Sequence, residues 1–380
     1  MILNKNVYYI GNDFVNIYRS TAYHELAPFD DHDYIYVEFL SSLGKLVECL
    51  TPDNMLDRIV NGNVHLILCN SHEAFHDVVA EIYQRAVIEL AIPAHKILLL
   101  SESADILAEV KTVATRLQMA EIKTVYTRIF EWNSRNNILH TSPLNEERIN
   151  STNSTNLKNT SFTKSFLNLN RRWRLHRPAL VALLFANKLL DKGHVSLAPV
   201  EGDTWDRVWH RLQVLHNLEI NTILQVYGDE IRSLLPMYLD TTELETNRAE
   251  YSTKTRYLYN DSYFSVVSET NYYADTPGRF LSEKVFKPIL MLHPFMMVSR
   301  PHSLKLLREL GYKTFEPYID ESYDSIEDDS ERLLAIVKEI KRLSYLSPEE
   351  LQDFLNGTAE IGRHNFQTLE QKTNFITRLN

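Results

Sequence analysis

The feature that most limits the fold of this chain is a regular alternation of short apolar runs with segments of helical periodicity. Residues 64–69 (VHLILC) have the length and composition of a buried strand, and residues 75–90 place apolar side chains on one helical face. Strand-like runs follow at residues 96–100 (KILLL) and 123–127 (KTVYT). Strands that alternate with helices of this length pack into a parallel sheet, so the sequence predicts the α/β class.

A polar segment divides this pattern into two series. Residues 134–161 are rich in Asn, Ser and Thr and show no sustained period, which is typical of a linker. Because a chain of 380 residues also suits two domains, we predict two Rossmann-like domains that face each other across a cleft. Ligands of open α/β sheets bind at the carboxyl ends of the strands. The predicted segments are residues 1–160, residues 161–360 and, as a helix expected to return to the first domain, residues 361–380.

The chain is poor in glycine, with 10 glycines in 380 residues where about 7% is typical. None of them forms GxGxxG or GxxxxGK[ST], the loops that bring backbone N–H groups up to a phosphate. Both standard glycine-rich nucleotide loops are therefore excluded.

Charge and cysteine content exclude further classes. The net charge of −10 argues against general nucleic-acid binding, which needs clustered Lys and Arg. Two cysteines cannot form a disulfide framework or a Cys-rich zinc site. The sequence shows neither a signal peptide nor an apolar run of about 18 residues, so we expect a cytoplasmic protein without a membrane span.

One segment matches a metalloenzyme pattern. Residues 72–76 (HEAFH) fit the zincin motif, in which two His bind zinc and the Glu polarises water. However, Asn70 and Glu73 also have the spacing of a capping box, which gives Glu73 a structural role. The longer metzincin motif is missing, because Val79 and Ile82 stand where Gly and His are needed. A capped helix is favoured, and a zinc hydrolase is the alternative.

A second candidate site follows a predicted strand that ends at Glu269. Ser282 is a plausible N-cap for a helix that begins with Glu283 and Lys284. A helix N-terminus presents free N–H groups and partial positive charge, so it can hold phosphate without glycines. Lys284 would add a full cation, and Glu283 suits the hydroxyl groups of a ribose. The alternative is that Glu283 only stabilises the helix dipole and Lys284 is solvated.

The third candidate is a cluster of four arginines, Arg171, Arg172, Arg174 and Arg177, between a predicted strand and a predicted helix. Arginine binds phosphate through two parallel hydrogen bonds, so such a cluster in an acidic chain favours an anion site. Salt bridges to a neighbouring acidic surface are the alternative.

Parts of these segments resemble a known family. Residues 280–284 (FLSEK) are similar to the Y-[VL]-[ST]-E-K signature of the fucosyltransferase C-terminal domain. In that family the preceding strand ends in Glu-Asn, which here corresponds to Glu269 and Thr270. Asn170 and Arg177 resemble an earlier motif of the same domain, a strand with Asn followed by an Arg that opens a helix. The resemblance covers less than half of the chain.

The resemblance implies a GT-B fold and inverting transfer of a sugar from a nucleotide-sugar donor to a glycan hydroxyl, with GDP-fucose as the leading donor. It implies no required metal and no cofactor. Arg177 and Lys284 would neutralise the donor pyrophosphate, and Glu283 would hold the ribose. The catalytic base would be a carboxylate of the first domain, for which Glu73 and Glu102 are the candidates because they follow adjacent strands.

The complete predicted donor site is Asn170, Arg171, Arg177, Glu269, Ser282, Glu283 and Lys284. Two other functions remain open at this point. One is the zinc hydrolase, and the other is a non-catalytic carbohydrate-binding protein that keeps a GT-B shell.

Overall fold

The chain divides into two compact units. Unit 1 comprises Met1–Ile129, Thr276–Phe280 and Asn374–Asn380, and unit 2 comprises Phe130–Asp275 and Leu281–Thr373. The computed structural model describes residues 7–10, 33–38, 43, 46–50, 54–70, 78–128, 130–131, 133–135, 162–170, 173–198, 204–215, 217–239, 256–275, 278–372 and 376–377. Most of the predicted linker, residues 136–161, lies outside the described residues.

The strands of the described residues are β1 (Val7–Ile10), β2 (Asp33–Glu38), β3 (Val64–Asn70), β4 (Ile97–Ser101), β5 (Lys123–Thr127), β6 (Phe166–Asn168), β7 (Gly193–Val195), β8 (Phe264–Ser268), β9 (Phe295–Val298) and β10 (Ile376–Thr377). The α-helices with described bounds are α1 (Leu46–Leu50), α2 (Met55–Val60), α3 (Val78–Ile82), α4 (Ile106–Leu117), α5 (His176–Ala186), α6 (Trp205–Leu215), α7 (Leu218–Leu234), α8 (Arg256–Asn260), α9 (Glu283–Leu290), α10 (Ser303–Glu309), α11 (Asp329–Leu343) and α12 (Pro348–Glu370).

Unit 1 contains a six-stranded sheet in the order β1-β2-β3-β4-β5-β10. The first five strands are parallel, and β10 pairs antiparallel with β5. The register places Asn70 beside Ser101, and Ser101 beside Tyr126, so β3, β4 and β5 end together. Leu66 and Ile67 of β3 are buried in separate apolar clusters, which accounts for the continuous apolar run of this strand.

Unit 2 contains a four-stranded sheet in the order β7-β6-β8-β9, and all its strand pairs are parallel. Helix α5 packs inside this unit, and every residue from His176 to Leu184 is buried. This burial explains why its apolar residues cover all sides of the helix and not one stripe. Two separate sheets, in which every strand pair except β5–β10 is parallel, confirm the predicted α/β class.

Some elements differ from the predictions. The sequence predicts that residues 204–235 are largely helical, and they contain two helices, α6 and α7. Asn217 caps α7 by accepting a hydrogen bond from the Ile220 backbone N–H. Residues 313–318 form no strand. Within the described part of the chain, no helix has both the length and the hydrophobicity needed to cross a membrane.

Ser347, Pro348 and Glu350 have the sequence pattern of a capping box, and the structure confirms this prediction at the start of α12. Ser347 accepts a hydrogen bond from the Glu350 backbone N–H, and the Glu350 side chain accepts one from the Ser347 backbone N–H. Pro348 follows the cap, where its fixed φ suits the first helical position.

Replacement of Ser347 by Ala should lower the free energy of unfolding by about 1 kcal/mol, because Ala cannot accept the capping bond. The loss should appear as a lower urea midpoint of the full chain, followed by circular dichroism. The control is Ser233→Ala in the last turn of α7, where the hydroxyl is exposed and caps no helix start. Equal midpoints for the Ser347 variant and the wild type would contradict the prediction.

Candidate functional site

The candidate site is built around the carboxyl group of Glu269, the residue that directly follows β8. This side chain is fully buried. Its Oε1 accepts a hydrogen bond from the Ser282 backbone N–H (3.3 Å), and its Oε2 accepts one from the Ser282 hydroxyl (2.5 Å). The Thr270 backbone N–H donates a further bond to Oε2 (3.2 Å). One buried carboxyl therefore ties the end of β8 to the residue that precedes α9.

Ser282 is the N-cap of α9, which confirms the helix start predicted from the sequence. Its Oγ accepts a hydrogen bond from the Lys284 backbone N–H (3.4 Å). Val285 and Phe286 in the same first turns are buried, so packing holds the helix on one side while the cap holds its end. The N–H groups of such a first turn carry partial positive charge.

The ammonium group of Lys284 lies at this helix start. Its Nζ donates to Glu283 Oε1 (2.6 Å), to Ser282 Oγ (3.1 Å) and to Thr270 Oγ1 (3.3 Å). The Lys284 side chain is 25% exposed, whereas that of Glu283 is 9% exposed. The cation is thus held in a fixed position by three acceptors, on a side chain that is partly exposed.

The pKa values of the two carboxyl groups of the site are shifted in opposite directions. Burial raises the pKa of Glu269, and this effect outweighs the opposing influence of Lys284 and Ser282. Burial would also raise the pKa of Glu283, but the charges of Lys284 and Lys287 outweigh it and lower that pKa. The Glu283 carboxylate is therefore the natural partner of the Lys284 cation, whereas burial shifts the titration of Glu269 toward the neutral form.

Arg177 and His176 hold the carboxyl end of β8 from the start of α5. Arg177 Nη2 donates to the backbone carbonyls of Ser268 (3.0 Å) and Glu269 (3.3 Å), and His176 Nε2 lies 3.0 Å from the same Glu269 oxygen. Both side chains are buried. These bonds fix the backbone that carries Glu269. The role predicted for Arg177 at a pyrophosphate stays a prediction.

Asn170 lies just beyond β6 and is 2% exposed. Its Nδ2 donates to Asn168 Oδ1 (2.5 Å), and its backbone N–H donates to Ser196 Oγ (2.9 Å). Its own Oδ1 is buried and accepts no hydrogen bond. A buried acceptor without a donor is costly, so this atom is suited to a ligand hydroxyl or amide. Arg171 lies outside the described residues.

Two residues that support the loop after β8 carry no signal in the sequence. The Tyr272 ring stacks on His176, with centroids 5.0 Å apart and an interplanar angle of 20°. Arg332 belongs to α11, and its guanidinium lies 4.5 Å from the centroid of the Tyr272 ring. Arg332 also donates from Nη2 to the Tyr272 carbonyl (2.7 Å). Neither residue belongs to a motif, and a contact between positions so far apart leaves no local pattern.

In unit 1, Glu102 directly follows β4 and is 3% exposed. It accepts a hydrogen bond from Thr127 Oγ1 (3.4 Å) at the end of β5. Glu73 and the rest of the HEAFH segment lie outside the described residues, so the zinc hydrolase remains a hypothesis. Among the residues that the structure describes, no cluster of three or more His, Cys, Asp or Glu could hold a metal ion.

No protein-family model matches the chain, and no curated protein matches it. Among solved structures, the trehalose-6-phosphate phosphatase N-terminal domain of Candida albicans is similar over 96% of this chain and 73% of its own, with 10% identity and a TM-score of 0.48. A UDP-forming alpha,alpha-trehalose-phosphate synthase from Burkholderia vietnamiensis is similar over 91% of this chain and 72% of its own, with 11% identity and a TM-score of 0.40. Similarity at this level assigns neither a substrate nor an activity to this chain.

The raised pKa of Glu269 predicts a pH dependence of stability. Its neutral form favours folding, so its contribution is fully present below the unfolded pKa and is lost as pH rises through the folded pKa. Glu269→Gln cannot ionise and should not show this loss. The melting temperature of the variant minus that of the wild type should therefore increase as pH rises.

Thermal melts across a pH series in one ionic strength would measure this difference. The control is Glu230→Gln, which removes an exposed carboxylate from α7. A constant difference between Glu269→Gln and the wild type at all pH values would contradict the prediction.

Proposed function

We propose that this chain is a glycosyltransferase that binds the diphosphate of a nucleotide-sugar donor at the start of α9. The observation that carries the proposal is the fixed ammonium of Lys284, on a partly exposed side chain, beside a capped helix N-terminus. A full cation and oriented N–H groups in one place suit a diphosphate. They do so without a glycine-rich loop, which the sequence does not offer.

The neighbouring carboxylate supports a nucleotide and not a bare phosphate. Glu283 is ionised and nearly buried, so its oxygens are acceptors in a site that otherwise attracts anions. Hydroxyl groups of a ribose can donate to such oxygens. The unpaired Oδ1 of Asn170 is a further acceptor in the same unit. These features favour a ligand that combines a diphosphate with several hydroxyl groups.

In the proposed reaction an acceptor hydroxyl attacks the anomeric carbon of the donor while a carboxylate takes its proton. The new C–O bond forms as the bond from the anomeric carbon to the diphosphate oxygen breaks, and a single displacement inverts the configuration. Lys284 and the α9 N-terminus stabilise the charge that develops on the leaving diphosphate. The resemblance implies no metal requirement, and Lys284 supplies a cation at the diphosphate.

The donor sugar, the catalytic base and the role of Arg177 are each supported by fewer observations than the diphosphate site. GDP-fucose as donor rests on the resemblance of residues 280–284 alone. The catalytic base stays a prediction, with Glu102 as the candidate that lies within the described residues. Arg177 fixes the backbone at the end of β8 by donating to the Ser268 and Glu269 carbonyls. Direct contact of Arg177 with the donor is a further prediction.

Lys284→Ala should weaken the binding of a nucleoside diphosphate about tenfold or more, because a charge-assisted hydrogen bond to phosphate is lost. Calorimetry with GDP and with UDP would measure the dissociation constants. Lys338→Ala removes the same charge from an exposed position of α11 and should leave them unchanged. Absence of binding by the wild type, or equal affinity for Lys284→Ala, would refute the donor site.

Glu102→Gln tests the base and separates an enzyme from a non-catalytic binding protein. Release of nucleoside diphosphate from a nucleotide sugar, with water as the acceptor, should slow about 100-fold in the variant because no base takes the proton. Nucleotide affinity should not change. Glu89→Gln, an exposed carboxylate of unit 1, is the control. An unaffected rate would exclude Glu102, and no turnover by the wild type would favour the non-catalytic protein.

A further inference from the structure

A short segment of unit 1, Thr276–Phe280, lies in the sequence between Glu269 and Ser282 of the candidate donor site. We call this segment the excursion. Glu269 and Ser282 both belong to unit 2, but Thr276–Phe280 between them belongs to unit 1. The loop that joins β8 to α9 is therefore not a simple surface connection. Of this segment, residues 278–280 are described, and Arg279 bonds to Ala104 and Asp105 of unit 1.

The excursion is fastened by Arg279 and Asp105. Arg279 Nη2 donates to Asp105 Oδ1 (2.8 Å), and Nε lies within bonding distance of both carboxylate oxygens (3.1 and 3.3 Å). The Arg279 backbone N–H also donates to Oδ2 (2.8 Å), and the Arg279 carbonyl accepts from the Ala104 backbone N–H (2.9 Å). We call this set of bonds the Arg279–Asp105 bracket. Side chain and backbone are fixed together, which a simple surface ion pair does not achieve.

Gly278 shows how closely the two segments approach. Its φ is +73°, which favours glycine, and a Cβ there would lie 2.1 Å from Ser103 Oγ. Ser103 cannot easily give way, because its hydroxyl donates to Glu109 (2.9 Å) and accepts from the Asp105 backbone N–H (3.3 Å). The bracket is thus reinforced by a contact that only glycine permits.

The position of the bracket along the chain suggests its purpose. Arg279 is three residues before Ser282, and Asp105 is three residues after Glu102. Neither residue of the bracket is among the groups that surround Lys284. The backbone between Arg279 and Ser282 links the bracket to the start of α9.

We propose that Arg279 and Asp105 are positioning residues for the donor site, an inference that rests on the proposed function. By fixing the chain just before Ser282, the bracket holds the α9 start in its binding conformation before a donor arrives. Without it, the free loop would have to be ordered on binding, and this entropy cost would weaken affinity.

Calorimetry with GDP on the full chain, well below the melting temperature of every variant, tests the proposal. Arg279→Ala should bind GDP about tenfold more weakly than the wild type. The affinity of Arg279→Lys should lie between these two, since Lys keeps the charge but cannot donate the two parallel hydrogen bonds of a guanidinium. Asp105→Asn keeps the side-chain shape and should also weaken binding. Arg85→Ala removes an exposed Arg–Glu pair elsewhere in unit 1 and is the control.

The outcomes separate this inference from the proposed function. If the wild type does not bind GDP or UDP, the proposed function fails and the inference falls with it. If the wild type binds and the Arg279 and Asp105 variants bind equally well, the inference alone is wrong. A lowered melting temperature with unchanged affinity would make the bracket a purely structural contact and would also overturn it.

Discussion

The buried carboxyl of Glu269 is the interaction on which the candidate site depends. Its oxygens hold the backbone N–H and the hydroxyl of Ser282, while its own carbonyl is held by His176 and Arg177. The end of β8, the start of α5 and the start of α9 therefore converge on one residue. A fully buried carboxyl is tolerated there because it has hydrogen-bond donors on both oxygens and a nearby cation. Removal of this group would release the helix start and the Lys284 ammonium together.

The parts of the molecule that the sequence predicts well are those with a local physical cause. Continuous apolar runs indicate the parallel strands, because strands that are buried on both faces are apolar along their whole length. The caps at Ser282 and Ser347 were predictable since a hydroxyl before a helix satisfies its first N–H groups. The place of Glu269 at a strand end followed from the same strand pattern. Its burial and its bonds to Ser282, 13 residues away, did not.

What the sequence could not provide are contacts between distant positions. Arg332 lies 60 residues from the Tyr272 carbonyl that it holds, and Arg279 lies 174 residues from Asp105. The sequence around Arg332 and Arg279 does not distinguish them from exposed arginines, because it does not indicate which distant residue each one contacts. Thr270 was a departure from the family pattern, yet its hydroxyl is one of three acceptors for Lys284.

The excursion of Thr276–Phe280 also bears on how such a chain can be inherited. Unit 1 is assembled from three stretches, Met1–Ile129, Thr276–Phe280 and Asn374–Asn380, so no single break in the gene separates the two units. A recombination that exchanged everything after residue 130 would bring in a foreign partner for Asp105 and a foreign last strand beside β5. A single crossover therefore cannot exchange one unit without breaking bonds inside unit 1.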